Sequence, residues 1–540
     1  MKIVVPEKVS ARGLAELRAQ PGWTVLELPA TSAQDGSLAR ELADADALIV
    51  RSAVQVTAEL LDRAPKLKVI GRAGVGVDNV DLDAATRKGV VVMNTPGGNA
   101  VSVAELALGL MIALARHLPR ADATTRAGQW EKKSLLGSEL MGKTLGIIGL
   151  GQIGSELAKR ARAFGMDLLA YDPFVSPLAA REAGAKLLPL DEVLANADFL
   201  SLHVTLTPET RGMFNDRAFA RMKNGARLVN CARGELINED AIYTALKSGK
   251  LAGAALDVFQ HEPPAGSELL ALPNVIATPH IAASTREAQE RVGFRIAELV
   301  RDYLSTGTIH NAVNVPSVSY DEQKALQPWL NLGQKMGAML GQLVQGKPRD
   351  LLLRFAGDLE GLNLDLISNA VVAGLLRQIL AGEVNLVNAR SIAEHNGLAL
   401  HVTQDAYTRG SARLLITRVT TDAQDLRIQG AVVNGDSPRL LGIDENMAIE
   451  APLQGNLVVL RNDDVPGVIG HVGAVLGRRG INIASFTLGR QEGATSGTAP
   501  KAGQPMAAVA LVQTDAPVPP HVIEDIRQHP AIHYARAIQL

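Results

Sequence analysis

One cysteine in 540 residues, Cys231, excludes an intramolecular disulfide. A reducing cytoplasm is the simplest setting for such a chain. Neither sign of charge is in excess: 54 Lys and Arg stand against 56 Asp and Glu, a formal net charge of −2. That balance provides no basic field for wrapping nucleic acid, and no run of like charges marks a charged tail, so any phosphate must be met by local arginines. Long apolar runs are also missing. The longest, VSVAELALGLMIALA (101–115), contains Glu105, is too short to span a bilayer and reads as a buried core helix. The opening MKIVVPEKVS runs into an apolar strand without the pattern of a secretion signal. Neither a nucleic-acid nor a membrane partner is expected.

What is present is core material. The chain is 47% hydrophobic and 20% charged, and its length exceeds what one core can organise, so roughly three or four domains are expected. Up to about residue 280, short β-branched runs such as KIVV, DALIV, TLGIIGL, DFLSLHV, ARLVNCA and NVIATPH alternate with Ala/Leu/Arg-rich helical stretches. This is the βαβ rhythm of doubly wound parallel sheets. The strands are too many for one sheet of usual width. Long helical stretches at 97–118 and 284–305 divide them between a lobe made from both ends of this segment and a lobe inserted into it. The expected units are therefore 1–96 with 284–314, the substrate lobe; 97–283, the nucleotide lobe; 315–452, an α+β intermediate domain; and 453–540. The last reads strand, helix, strand, strand, helix, strand, the ferredoxin-like βαββαβ order. An insertion, EGATSGTAPKAGQP (492–505), reads as a mobile loop in its central hairpin.

Residues 144–174, TLGIIGLGQIGSELAKRARAFGMDLLAYDPF, run strand, glycine turn, helix, strand and acid. A G-x-G-x-x-G alone is weak, because glycine turns join strands to helices in many proteins. In this context Gly149 permits the tight turn, Gly151 admits a pyrophosphate, Gly154 lets helix and strand pack, and the N–H groups of Gln152 and Ile153 face the phosphates. Asp172 can accept from the adenosine ribose hydroxyls and would repel a 2′-phosphate, which favours NAD.

A dinucleotide implies hydride transfer, and oxidising an alcohol also requires a proton acceptor. Arg233 in LVNCARGELIN, Glu262 in ALDVFQHEPP and His280 in ATPHIAAST each follow an apolar strand, so all three emerge at the carboxyl edge of one sheet. Singly, they read as a helix-capping arginine, a solvated loop acid and a core histidine. Together they supply a guanidinium fork for a carboxylate, an acid that orients a ring, and an imidazole to take a hydroxyl proton. Asp257, the remaining buried-looking acid, is placed at the nicotinamide. Cys231 reads as a small packing residue beside the cofactor, since hydride transfer needs no thiol nucleophile. No metal is called for.

GRAGVGVDNVD (71–81), GLGQIG, NCARGELINEDAIYTALKSGKLAGAALDVFQHEPP and TPHIAAST resemble the signatures of the D-isomer-specific 2-hydroxyacid dehydrogenases. The resemblance covers about residues 1–315 and implies a Rossmann-like nucleotide lobe inserted in a flavodoxin-like substrate lobe. It gives Arg233 the substrate, and Glu262 and His280 the acid/base work. It also implies that Arg51 and Arg72 hold the substrate's phosphate and carboxylate, that the backbone of Gly74, Val75, Gly76 and Val77 approaches the carboxylate, and that Gly98 and Asn99 border the site. With its remaining domains, the last similar to ACT regulatory domains, the chain resembles the long members of the family that oxidise 3-phosphoglycerate on the way to serine. Those members are homo-oligomers, dimers or tetramers, and bind effectors such as L-serine between neighbouring subunits. Asp464 and Asn482 match effector-binding positions, while Asn462 and the 492–505 insertion depart from the pattern. A hydroxypyruvate or glyoxylate reductase of the same family, or an NAD-sensing corepressor-like binding protein, would carry the same dinucleotide motif.

Overall fold

Strands as short and as uniformly apolar as those of the first half can satisfy their backbone only inside sheets covered on both faces. In the computed structural model, which describes residues 1–316, 320–359, 361–380, 383–405, 413–444, 448–490 and 506–540, they form two parallel sheets. The insertion 492–505 lies outside the described residues. The first sheet contains β1 (Lys2–Val5), β2 (Thr24–Glu27), β3 (Ala47–Val50), β4 (Val69–Arg72) and β5 (Val91–Met93) in the order β2-β1-β3-β4-β5. That is the flavodoxin-like order. Helix Arg286–Thr306 returns to cover it, setting Ile296 and Val300 among Ile3, Ile49 and Val69.

The second sheet contains β6 (Thr144–Ile148), β7 (Asp167–Tyr171), β8 (Lys186–Leu187), β9 (Phe199–Leu202), β10 (Ala226–Asn230), β11 (Leu251–Leu256) and β12 (Val275–Ala277). Its order is β12-β11-β10-β9-β6-β7-β8, with every pair parallel. The winding reverses between β6 and β9, so a crevice opens there at the strands' carboxyl ends. Helix Ala100–Arg116 packs on this sheet through Val103, Ala107 and Met111. Where the chain crosses between lobes, Ser102 Oγ lies 2.7 Å from Thr285 Oγ1, and Arg291 Nε donates to Gly98 O at 3.1 Å.

The third sheet holds β13 (Pro348–Ala356), β14 (Ala399–Asp405), β15 (Leu414–Thr421), β16 (Asp425–Val433), β17 (Ser437–Ile443) and β18 (Ala448–Pro452), in the order β14-β13-β15-β16-β17-β18. The sequence pattern signals only β15 and β16. β14, ALHVTQD, is an edge strand whose side chains are mostly exposed, so it carries no apolar alternation to read. The fourth sheet, β19 (Asn456–Asp463), β20 (Ile483–Arg490), β21 (Ala507–Thr514) and β22 (Ile532–Gln539), is antiparallel in the order β20-β21-β19-β22, as βαββαβ connectivity requires. One buried cluster runs from Ile3 and Val300 through Trp329, Met336 and Leu353 to Val459 and Leu511, joining three of the four sheets. Among the described residues, no single helix is long and apolar enough to cross a membrane.

Helices Tyr320–Leu343 and Leu364–Arg377 approach closely because Gly333, Gly337 and Gly341 fall on the contact face. A Cβ at Gly337 would lie 2.0 Å from Val371 O and 2.8 Å from Leu375 N, both rigid backbone atoms. Gly337→Ala should therefore destabilise by about 1–3 kcal/mol through overpacking, although alanine is the better helix former. Calorimetry should show a lower midpoint for the first thermal transition; an unchanged or raised midpoint would contradict this packing.

Candidate active site

The three glycines of the β6 turn differ in what a side chain would meet. At Gly149, φ +92°, a Cβ would lie 2.7 Å from His203 O; at Gly154 it would lie 2.2 Å from Gly149 O. At Gly151 a Cβ would meet nothing within 4 Å among the described residues. Two glycines thus serve chain packing, and the third leaves the outer face of the turn open. Gly151 is the N-cap of helix Gln152–Ala163 and supplies no side-chain cap, so the N–H groups of Gln152 and Ile153 have no intrahelical acceptor and point toward the open face. Asp172, at the end of β7, accepts from the N–H groups of Leu150 and Phe174, both at 2.9 Å. Two bonded oxygens still leave acceptor positions for ribose hydroxyls. The turn fits a dinucleotide: Gly149, Gly151, Gln152, Ile153 and Gly154 would hold the pyrophosphate, and Asp172 the ribose.

The carboxyl ends of β10, β11 and β12 bring the other groups together. Asn230, wholly buried, donates from Nδ2 to Arg233 O at 2.8 Å and accepts from Ala232 N at 3.0 Å, fixing the turn that presents Arg233. His280 Nδ1 lies 2.7 Å from Glu262 Oε2, and Glu262 Oε1 accepts from Phe259 N at 3.1 Å. A carboxylate only accepts, so Nδ1 carries the proton and Nε2 is left as the basic nitrogen. His280 holds φ +52°, an unusual conformation for a side-chain-bearing residue. Its N–H is held by Asp257 O and Thr278 O, at 2.9 and 3.0 Å.

Arg51, Arg72 and Gly74 from the facing lobe, and Asn99 from the crossover, join Glu262 and His280 in lining a cleft of about 340 Å³. Arg72 Nε and Asn99 Oδ1 are buried without a partner among the described residues, the condition of groups awaiting a ligand. Burial, followed by the charges of Arg233 and Arg51, holds the Arg72 pKa below its ordinary value, while Asp78 and Glu7 oppose that shift. Glu7 accepts from the N–H groups of Arg51, Ala53 and Val54 and so shapes the loop that carries Arg51. Val75 O accepts from Asn94 Nδ2 at 2.6 Å. Gly76 lies under Arg233: a Cβ there would be 2.0 Å from Nη2.

Two expectations gain structural detail. Asp257, placed at the nicotinamide from sequence, is fully buried, and its carboxylate accepts from Thr278 Oγ1 at 2.6 Å and from Ile281 N and Ala282 N, both at 2.9 Å. Three of its roughly four acceptor positions are engaged, so its work here is to pin the loop that carries His280. Asp464 and Asn482, matched to effector-binding positions between neighbouring subunits, lie at opposite ends of β21 within one copy. Asp464 follows Asp463, paired with Ala507, whereas Asn482 precedes Ile483, paired with Thr514. Asp464 bridges Arg490 at 2.8 Å and Asn482 donates to Asp515 at 2.7 Å. Asn462 is buried, donating to Asp463 O. Cys231 is buried beside Asp257, and burial above all pushes its thiol pKa far up, leaving it inert as a nucleophile.

Sequence reasoning did not single out Asp78, Glu7, Asn230 or His203. His203 closes β9 at the switch point, with Nε2 2.9 Å from Ser201 Oγ and Nδ1 buried without a partner among the described residues. Burial pulls its pKa down to about 4. The unfolded chain takes up this proton near the ordinary histidine value of 6.5, so the folded state loses stability as pH falls from there toward 4 and regains it as pH rises. Thermal midpoints at pH 7.5 and 5 should therefore fall less in His203→Gln than in the parent; an equal fall would rule out this contribution.

Residues 108–282 match the model of the D-isomer specific 2-hydroxyacid dehydrogenase NAD binding domain, 325–444 that of the D-3-phosphoglycerate dehydrogenase intervening domain, and 456–531 that of the ACT domain. A D-3-phosphoglycerate dehydrogenase of Methanocaldococcus jannaschii is 42% identical over 512 residues, 95% of each chain. That of Archaeoglobus fulgidus is 40% identical over the whole of both chains. Among solved structures, an NAD-dependent formate dehydrogenase from Staphylococcus aureus in complex with NAD is 32% identical, with a TM-score of 0.51 over 59% of this chain and all of that one. A D-lactate dehydrogenase from Escherichia coli is 30% identical, with a TM-score of 0.51 over 58% of this chain and all of that one. By its dinucleotide turn, its cleft and these full-length relatives, the chain belongs to the D-isomer-specific 2-hydroxyacid dehydrogenases, in the branch of the D-3-phosphoglycerate dehydrogenases.

Proposed function

We propose that this chain oxidises 3-phospho-D-glycerate to 3-phosphohydroxypyruvate with NAD, the first step of the phosphorylated route to L-serine. What supports this reading most is the contact of His280 Nδ1 with Glu262 Oε2 at 2.7 Å, at the wall of a cleft that also contains Arg51 and Arg72. Arg233 orients the substrate carboxylate, and Arg51 and Arg72 meet the anionic groups from the facing lobe. NAD held at the β6 turn would supply the hydride acceptor for C2. His280 Nε2 takes the hydroxyl proton as the carbonyl forms, and Glu262 keeps the ring in the tautomer that can do so. The pairing of Arg51 and Arg72 in the cleft, with Arg233 nearby, with a substrate that carries both a carboxylate and a phosphate favours phosphoglycerate over an unphosphorylated hydroxy acid. The units 1–96 with 284–314 and 97–283 are the lobes that close on this substrate, with 315–452 and 453–540 carrying regulation.

The same reading extends to assembly. Because Asp464 and Asn482 lie at opposite ends of one sheet, a small effector such as L-serine would touch both only where two copies meet, which accords with a homodimer or homotetramer. A cytoplasmic setting fits a chain whose one thiol is buried. His280→Ala should lower kcat by about 10²–10⁴-fold, the usual worth of a general base, and leave the Kd for NADH within about twofold. NADH fluorescence titration and initial rates with 3-phosphoglycerate test this; unaltered kcat, or lost NADH binding in a folded variant, would refute the assignment.

A further inference from the structure

Arg233 is already engaged. Its Nη2 lies 3.0 Å from Asp78 Oδ2, and its Nη1 donates to Ala232 O at 2.7 Å. Asp78 belongs to the opposite lobe, in the loop that follows the glycine-rich segment, and the pair sits directly over Gly76. A Cβ at that position would fall 2.0 Å from Arg233 Nη2 and 2.7 Å from Asp78 Oδ2. The fork assigned to the substrate's carboxylate therefore holds a carboxylate of the protein itself. Asp78 is 68% exposed and Arg233 28%. An ion pair so open to water is weak, and releasing it requires little desolvation.

The surroundings give this pair a purpose. Arg51 and Arg72 line one cleft, and Arg233 stands close enough for its charge to act on Arg72; like charges this close attract any small anion. An intramolecular carboxylate competes at a high effective concentration. A lone anion has only the fork to gain. A substrate that also anchors a phosphate on Arg51 and Arg72 has a second hold and displaces Asp78 more readily.

Taking Arg233 as the carboxylate clamp of the proposed function, we propose that Asp78 is a resident carboxylate that occupies Arg233 in the empty cleft and exchanges with the substrate's carboxylate. It is a positioning residue: it sets affinity and screens out simple anions without touching the reacting atoms.

The test uses the full-length enzyme saturated with NADH, in which 3-phosphoglycerate binds without turnover. Calorimetric Kd for 3-phosphoglycerate and the Ki of sulfate are measured for the parent, Asp78→Asn and Asp78→Ala, and for both Asp78 changes in an Arg233→Gln background. Removing the competitor should tighten 3-phosphoglycerate by about two- to fivefold, the range of an exposed ion pair, and tighten sulfate by at least as much, with thermal midpoints unchanged. A purely structural role would weaken both ligands. In the Arg233→Gln background, the Asp78 changes should have no further effect. Weakened or unaltered binding in both Asp78 variants would overturn the proposal, and so would equal tightening with and without Arg233, which would mark a general charge effect. If Arg233→Gln alone leaves the 3-phosphoglycerate Kd unchanged, the clamp assignment itself fails, a result separate from any behaviour of Asp78.

Discussion

The site depends on a carboxylate that never meets solvent. Asp257 is wholly buried, and its two oxygens gather Thr278, Ile281 and Ala282 into one tight loop. That loop carries His280 in a left-handed backbone conformation, which costs on the order of 1–2 kcal/mol for a side-chain-bearing residue and persists because the buried bonds on both sides over-determine it. That anchor helps to hold the ring at Glu262 and leaves its second nitrogen free. A buried acid with three donors is expensive to disturb, and that rigidity makes the reacting geometry reproducible.

Around this fixed centre the electrostatics are local. The chain is nearly neutral, yet Arg51, Arg72 and Arg233, from two lobes, stand near enough to feel one another's charge, balanced by Asp78 and Glu7. Glu7 acts through backbone amides on the Arg51 loop, whereas Asp78 pairs directly with a guanidinium. The lobes are thus linked across their opening by charge, and through the crossover segments by the contacts of Ser102 with Thr285 and of Arg291 with Gly98. The intermediate domain touches the same lobe, where Asn385 Nδ2 donates to Gly89 O at 2.9 Å. Its sheet is in turn joined to the last domain through a shared core. A continuous packed path therefore runs from the terminal sheet to the lobe that carries Arg51 and Arg72.

Much of this could be read from the chain because it is written locally. The glycine turn is a contiguous strand–turn–helix signal, and Arg233, Glu262 and His280 each follow a run apolar enough to be a buried strand, so their common edge follows from parallel winding alone. The partner of Asp78 could not be read, because it lies in the other lobe and the residue stands within a motif whose glycines draw attention first. Asp257 was visible as a buried acid, but the donors that occupy it come from a loop beyond the next strand, and only the register of β11 against β12 places them. Asp464 and Asn482 flank different strands, and only antiparallel pairing with β21 shows that they diverge. β14 was missed because an exposed edge strand has no apolar face to betray it.

The arrangement as a whole is tested most directly by a crystal structure of the dead-end complex with NADH and 3-phosphoglycerate. The substrate carboxylate should lie on Arg233, its phosphate beside Arg51 and Arg72, and its C2 hydroxyl within hydrogen-bond distance of His280 Nε2, with the Asp257 loop unmoved. A substrate bound with its hydroxyl turned away from His280, or a His280 ring parted from Glu262 in the complex, would contradict the account.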